Sequence, residues 1–400
     1  MRILALSHLY PHTAEPRYGI FVARQLEAMA KCGAEITLLV PRPYRPKFLL
    51  SALGRSKTLT HETELIPFDG VEARMIVHPA LPGAWYKSYV GSVAAKVASA
   101  TVRELHQQQK FDVIYATDLY VSGDMAWRLG EQFGIPSTCL AIGSDVNEVP
   151  HLSPRLSATF DTIVNKLSGT LACGESLAEI IEQKRSDHCL CVYGVVDTER
   201  FKPTDDRASL RDALRLPQDK TIFLYVGYLW KRKGLLELIQ AFERLQKQHG
   251  QCHLVLCGEG EDEVAIRQAA TDSSQAQSIQ FAGAVPPDEI HRYMQASDVF
   301  TLPSYNEGMP NAVMEAMACG LPVVATSVGG LPAALKDCEG AILVPPREVS
   351  PLAEALFSTV DETRRQSMGA AARAKAVETF GAIPNAQRIL DFLELQRSKM

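Results

Sequence analysis

Two glutamates, Glu307 and Glu315, stand with seven residues between them in the string Leu302-Pro-Ser-Tyr-Asn-Glu-Gly-Met-Pro-Asn-Ala-Val-Met-Glu-Ala-Met-Ala-Cys-Gly-Leu-Pro322. The string reads as a strand end, a glycine-containing loop and a short helix, with Pro310 suited to the first helical turn and Gly320 and Pro322 to its end. Glu307 then lies in the loop and Glu315 about one turn inside the helix, separated by roughly the length of a sugar phosphate. The loop Gly308-Met309-Pro310-Asn311 presents unpaired N–H groups and the positive end of the helix dipole, where an anion is favoured. Carboxylates only accept hydrogen bonds, so two of them beside an anion site suit a ligand with hydroxyls near a phosphate. A helix-dipole partner and a solvated loop acid is the plainer account of such a pair, and the surrounding string argues against it.

Such a loop needs a parallel sheet to hold it. Short apolar runs alternate with stretches of helical period along the whole chain, the signature of βαβ units. Expected strands in the first half are Ile3 to Ser7, Glu35 to Val40, Val113 to Ala116, Ser137 to Ala141 and Gly169 to Cys173. The pattern restarts with Thr221 to Val226, His253 to Cys257, Ile279 to Ala282, Val299 to Leu302 and Pro322 to Ala325. The expectation is an α/β chain of two doubly wound domains, 1–190 and 191–380, joined by an irregular linker over Cys189 to Pro203, with ligands at the carboxyl ends of the strands.

The glutamate string, continued by Val323-Val-Ala-Thr-Ser-Val-Gly-Gly330, resembles the glutamate-seven-glutamate motif of glycosyltransferase family four, retaining enzymes of GT-B fold with two Rossmann-like domains facing across a cleft. A likeness covering nearly the whole chain implies transfer from a nucleoside-diphosphate sugar to an acceptor hydroxyl with retention, as in polysaccharide or glycolipid biosynthesis, with no metal and no other cofactor. It implies that Glu307 contacts the donor sugar and Glu315 the ribose. A second match, Leu224-Tyr-Val-Gly-Tyr-Leu-Trp-Lys-Arg-Lys-Gly-Leu235, resembles the strand, glycine turn and basic cluster whose Arg and Lys neutralise the departing diphosphate. Gly227 and Lys233 fit that pattern, whereas Tyr228 takes the Arg position, and Lys231 or Arg232 is left to supply the second charge. A cation aimed at charge that grows in the transition state accelerates chemistry rather than merely binding. Gly258, after one strand, and Val285, after another, fall where the family walls its base pocket.

The acceptor belongs to the first half by the same resemblance, with a helix at about 381–400 packing back on it. Pro16 to Gln25 resembles the loop that approaches the donor, with Gly19 left of the usual glycine pair. In Ala141-Ile-Gly-Ser-Asp-Val-Asn147, Ile142 stands where many relatives have a histidine, and Asp145 reads either as acceptor base or as a turn cap. His8 and His12 follow the first strand and read as surface histidines that could also reach the site. Arg42, Arg45, Lys47, Arg55 and Lys57 form a basic stretch that fits an anionic membrane or a lipid-linked pyrophosphate, and equally a loop of solvated charges.

Composition narrows the classes. A formal charge of -5 with 46% hydrophobic and 22% charged residues describes a globular protein and argues against nucleic acid as a partner. The apolar run at the N-terminus is short for a secretory signal, and no stretch is apolar enough to span a bilayer. The expected place is the cytoplasm, with peripheral contact at the inner face of the membrane, and the expected partners are the donor and a sugar or lipid-linked sugar acceptor. Rival readings are a nucleotide-sugar epimerase and a non-catalytic nucleotide-sugar-binding protein. A dinucleotide oxidoreductase lacks its Gly-x-Gly-x-x-Gly after either first strand.

Overall fold

The computed structural model describes residues 1–16, 18–44, 63–80 and 84–399. Its chain forms two compact units, Met1–Val195 with Ala382–Met400, and Val196–Gly381.

Unit 1 holds seven parallel strands: β1 (Arg2–Ser7), β2 (Glu35–Tyr44), β3 (Val71–Pro79), β4 (Val113–Thr117), β5 (Ser137–Ala141), β6 (Gly169–Ala172) and β7 (Cys189–Cys191). Their order is β3-β2-β1-β4-β5-β6-β7, so the chain reverses direction of winding between β1 and β4 and leaves a crevice position at their carboxyl ends. The central strands are apolar on both faces because helices cover both: β4 and β5 are buried at every residue. One face carries the helix Ile20–Lys31, whose Val22, Ala23, Leu26 and Met29 are buried against Ile3, Ala5 and Leu38. The helix Ala382–Ser398 returns to that same face and adds Ile389 and Leu393, both fully buried. Burial of each such side chain is worth about 1.5–3 kcal/mol.

Unit 2 holds six parallel strands: β8 (Thr221–Val226), β9 (Cys252–Cys257), β10 (Ile279–Gly283), β11 (Val299–Leu302), β12 (Val323–Thr326) and β13 (Ala341–Val344), in the order β10-β9-β8-β11-β12-β13. Its switch of direction lies between β8 and β11. At the amino ends of these two strands Asp298 is buried and accepts from Arg207 Nη2 (2.7 Å), Arg211 Nη2 (2.6 Å) and the Ile222 N–H (2.7 Å), with Arg365 Nε 3.7 Å away. This cluster fixes the bottom of the sheet.

Three strands, β3, β7 and β13, were not among those expected. In particular, Cys189–Cys191 opens the expected irregular linker as an edge strand of unit 1, paired in parallel with Thr170–Ala172. The chain leaves unit 1 only after Val195. All nine cysteines are free thiols.

Candidate active site

The loops after β8 and β11 are drawn together by one glycine. Gly234 has φ +71°, and a Cβ there would lie 2.0 Å from the Pro303 carbonyl oxygen, so only a residue without one lets the two backbones meet. The Tyr305 N–H donates to the Arg232 carbonyl at 2.9 Å and closes the same contact. Lys233 precedes Gly234, at the start of the helix Leu235–His249, and its ammonium reaches Glu307 Oε1 at 2.6 Å. Both side chains are largely buried, with 15% and 10% of their surface exposed. The cation and the carboxylate singled out in sequence therefore form one pair, 74 residues apart in the chain.

Beside this pair starts the helix Asn311–Ala318, which has Pro310 at its N-cap and no side-chain cap for its first N–H groups. Gly308 and Met309 lead into it, and Glu315 sits half-buried one turn along. A third loop clasps the second. Gly329, after β12, has φ +58°, and a Cβ there would lie 1.7 Å from the Glu307 carbonyl oxygen, while the Gly330 N–H donates to the Gly308 carbonyl at 2.8 Å. Gly329→Ala is accordingly expected to push the Glu307 loop aside and to weaken the nucleotide-sugar binding that the resemblance implies about tenfold or more, a change of about 1.4 kcal/mol. Calorimetric titration would show it, with Gly250→Ala as the control, because Gly250 also has positive φ but nothing within 4 Å of its added methyl.

On the other side of β8 the strand ends are stitched in a row. The Gly227 N–H donates to the Cys257 carbonyl at 3.0 Å and the Gly258 N–H to the Gly283 carbonyl at 2.8 Å. Val285 follows, half-buried. Tyr228, at the position where an arginine was expected by resemblance, is 59% exposed and stacks on Trp230 with ring centres 4.4 Å apart. The Arg232 guanidinium carbon lies 4.2 Å from the centre of that indole. The Lys231 N–H is held by Asp262 at 2.8 Å and its ammonium lies 3.7 Å from the same carboxylate. Of the two cations left to replace the missing arginine, Lys231 thus already faces an acid and Arg232 is held to an aromatic ring.

Unit 1 changes the reading of its own residues. Gly19 has φ +67° and caps the helix Ile20–Lys31, and a Cβ there would lie 2.3 Å from the Leu9 carbonyl carbon. Asp145 is 5% exposed. Its oxygens accept the N–H groups of Gly143 (2.8 Å), Ile142 (3.0 Å) and Leu119 (3.1 Å). Burial, then the neighbouring Asp118, push its pKa up to about 6. With both oxygens committed to backbone, Asp145 ties two loops together, which corrects the expectation of an acceptor base.

The group with a base's geometry is His8. Its Nδ1 lies 2.7 Å from Asp118 Oδ2, and 29% of its side chain is exposed. Asp118 follows β4 with φ +71° and is anchored by the Val121 N–H (2.8 Å) and the Ser122 hydroxyl (2.7 Å). A backbone in the left-handed region at a non-glycine residue costs energy and tends to occur where a side chain must be aimed. Burial lowers the His8 pKa, but attraction and hydrogen bonding to Asp118 outweigh it, so the net shift is upward. The readable signal was an acid directly after β4 beside a histidine directly after β1, two strands that a doubly wound sheet makes neighbours.

Of the basic stretch, Arg42 belongs to β2 and is 9% exposed, not a solvated charge. Arg45, Lys47, Arg55 and Lys57 lie outside the described residues.

Two parallel-sheet α/β units with ligand-competent loops at the carboxyl ends define the GT-B fold, and known structures share it. Anabaena HepE in complex with UDP superposes with a TM-score of 0.70 at 20% identity, over 99% of this chain and 100% of that one. Sucrose-phosphate synthase from Thermosynechococcus elongatus gives 0.68 at 20% identity, over 100% of both. A family model, glycosyl transferases group 1, matches residues 206–375. TuaC of Bacillus subtilis (strain 168), a glycosyltransferase assigned to teichuronic acid biosynthesis, is 31% identical over 363 residues, covering 89% of this chain and 88% of TuaC. A D-inositol 3-phosphate glycosyltransferase of Corynebacterium urealyticum is 26% identical over 88% of this chain and 84% of its own length. The chain belongs to the group 1 glycosyltransferases.

Proposed function

We propose that this glycosyltransferase moves a sugar from a nucleoside-diphosphate donor to an acceptor hydroxyl with retention at the anomeric carbon, in the synthesis of a polysaccharide or glycolipid. The observation that carries the reading is the Lys233–Glu307 pair, 2.6 Å apart beside an uncapped helix N-terminus with Glu315 one turn inside. In this reading the bond from the anomeric carbon to the phosphate oxygen breaks, and the diphosphate leaves with the electron pair. Lys233 and the N–H groups from Gly308 to Asn311 stabilise it there. Glu307 accepts hydrogen bonds from the donor sugar and Glu315 from the ribose. Gly227, Tyr228, Lys231, Gly258, Val285, Met309 and Pro310 line the remainder of the donor site. The new bond forms from the acceptor oxygen to the same carbon, whose hydroxyl proton passes to the departing phosphate. His8, through Nε2, takes over from Asp145 as the group that orients this hydroxyl.

HepE bound to UDP and to UDP-glucose supports a uridine donor as the first to test. The assignment of TuaC to teichuronic acid biosynthesis supports a sugar acceptor, and we extend the proposal to a lipid-linked one met at the inner face of the membrane. No described helix is long and apolar enough to cross a bilayer.

Thermal unfolding with a panel of nucleoside diphosphates and their sugars is the first test, because a ligand of the native state stabilises it by mass action, by about 2.7 kcal/mol at a hundredfold excess over Kd, and so raises the melting temperature. One nucleotide is expected to stabilise the wild type and to lose that effect in Glu315→Ala and Lys233→Ala. No stabilisation by any of them would sink the donor site. Binding without transfer to any acceptor would favour a non-catalytic binding protein, and an inverted anomeric signal in the product's proton NMR spectrum would refute retention.

A further inference from the structure

Unit 1 carries a surplus of buried hydrogen-bond donors next to the His8–Asp118 pair. Arg42, 9% exposed, has five N–H donors, of which one is used among the described residues, by Nη2 to the Tyr10 carbonyl at 3.1 Å. No carboxylate lies within ion-pair distance of it among the described residues; Glu15 acts on it only from farther off, and the Tyr18 ring is 5.6 Å from the guanidinium carbon. A buried charge without a counter-charge is costly and is ordinarily paired.

His12 repeats the pattern. It is fully buried, and its ring lies 5.9 Å from the same Tyr18 ring. Burial, then the charge of Arg42, push its pKa down against the opposing pull of Glu15, and the net shift favours the uncharged ring. Its Nδ1 accepts the Glu15 N–H at 3.3 Å, which leaves the proton on Nε2. That Nε2 has no partner among the described residues. Two buried groups from different elements, flanking one tyrosine and each within the other's field, keep N–H donors that no acceptor among the described residues takes up. What satisfies both is an anion.

We infer that Arg42 and the Nε2–H of His12 form a subsite for a phosphate group of the acceptor, beside the hydroxyl that His8 orients. This rests on the reading of the chain as a transferase whose acceptor binds unit 1, and it narrows the acceptor to a phosphorylated one. The phosphate can come from a soluble sugar phosphate or from a sugar carried on a polyprenyl diphosphate. Tetrahedral oxyanions match both the fork of a guanidinium and a single imidazole donor. The charges facing His8 are Asp118, Arg42 and Asp145. An anion at Arg42 therefore also alters the field at His8, which makes His8 a second reporter.

The test uses the full chain with its histidine rings carbon-13 labelled, titrated with inorganic phosphate and followed by NMR. The expected result is a saturable shift of the His12 and His8 ring signals, with a rise in the His8 pKa. The response should vanish in Arg42→Met, persist in part in Arg42→Lys, which keeps the charge, and be unchanged in Lys233→Ala. No saturable response in the wild type overturns the subsite. A response lost in Lys233→Ala and kept in Arg42→Met assigns the anion to the donor site and overturns it equally. Neither result depends on nucleotide binding, so failure of the donor assignment is read separately, from the thermal panel. With the donor in hand, Arg42→Met should raise KM about 10- to 100-fold, the worth of a charged hydrogen bond, and leave kcat nearly unchanged. Comparing a soluble sugar 1-phosphate with a polyprenyl-diphosphate sugar in detergent micelles tells which source is used. An equal KM for wild type and variant with both would refute the acceptor role.

Discussion

Lys233→Ala is expected to lower kcat for glycosyl transfer by roughly 10²–10³-fold, the usual loss when one preorganised group facing a developing anion is removed. The size follows from where the charge sits. Lys233 is largely buried, so little water screens it, and Gly234 holds it by locking its loop to Pro303. The same substitution strands Glu307, whose Oε1 has Lys233 as its partner at 2.6 Å. Breaking such a pair from one side costs about 3–5 kcal/mol when fully buried, and somewhat less here because both groups keep some exposure. Glu307→Gln in the Lys233→Ala background should therefore recover much of the lost melting temperature and none of the lost turnover. Steady-state kinetics alongside thermal unfolding separates the two effects. Turnover close to that of the wild type in Lys233→Ala would remove this residue from the chemistry.

The largest expected effect on stability lies at the opposite end of the same sheet. Asp298 is the acid that Arg207, Arg211 and Arg365 share, and it also accepts the first free N–H of β8. Asp298→Ala would leave three guanidiniums together without their counter-charge and orphan the Ile222 N–H. A loss of about 3–5 kcal/mol is expected, which for a unit of this size is a fall in melting temperature on the order of 10 °C. Asp298→Asn should fall between, since its amide oxygen can accept one of these bonds. Because the cluster sits at the amino ends of β8 and β11, while the donor loops leave their carboxyl ends, nucleotide affinity measured well below the melting temperature should be unchanged. A variant that unfolds as the wild type does would mean that the arginines satisfy themselves on backbone carbonyls, as Arg211 already does in part at Ala296 and Gln218.

The two sheets and the loops of the proposed donor site were legible because their signals are local. A central strand of a parallel sheet is apolar on both faces, so runs such as Thr221–Val226 and Ser137–Ala141 stand out. The three strands that escaped notice are all at sheet edges. There one side meets solvent, and β3 interleaves Glu72, Arg74 and His78 among its apolar residues, while β7 has only three residues. The site residues divide the same way. Glu307, Gly308 and Glu315 share one loop and helix, whereas the His8–Asp118 pair joins positions 110 residues apart through the adjacency of β1 and β4. Asp145 stayed open between base and turn cap for a related reason: three backbone donors from two loops converge on it, and backbone N–H groups leave no mark in a sequence.

The helix Ala382–Ser398 gives unit 1 an unusual birth. Strands β1 to β7 leave the ribosome first, yet Ala386, Ile389, Leu390 and Leu393, which complete the core around Ile3, Leu38 and Leu171, emerge only after the whole of unit 2 has been made. During that interval the nascent first unit presents an uncovered apolar face while its successor, continuous in sequence, can already close upon itself. Synthesis thus inverts the order in which the two halves mature, and the half made first is the one that most needs a chaperone's shelter.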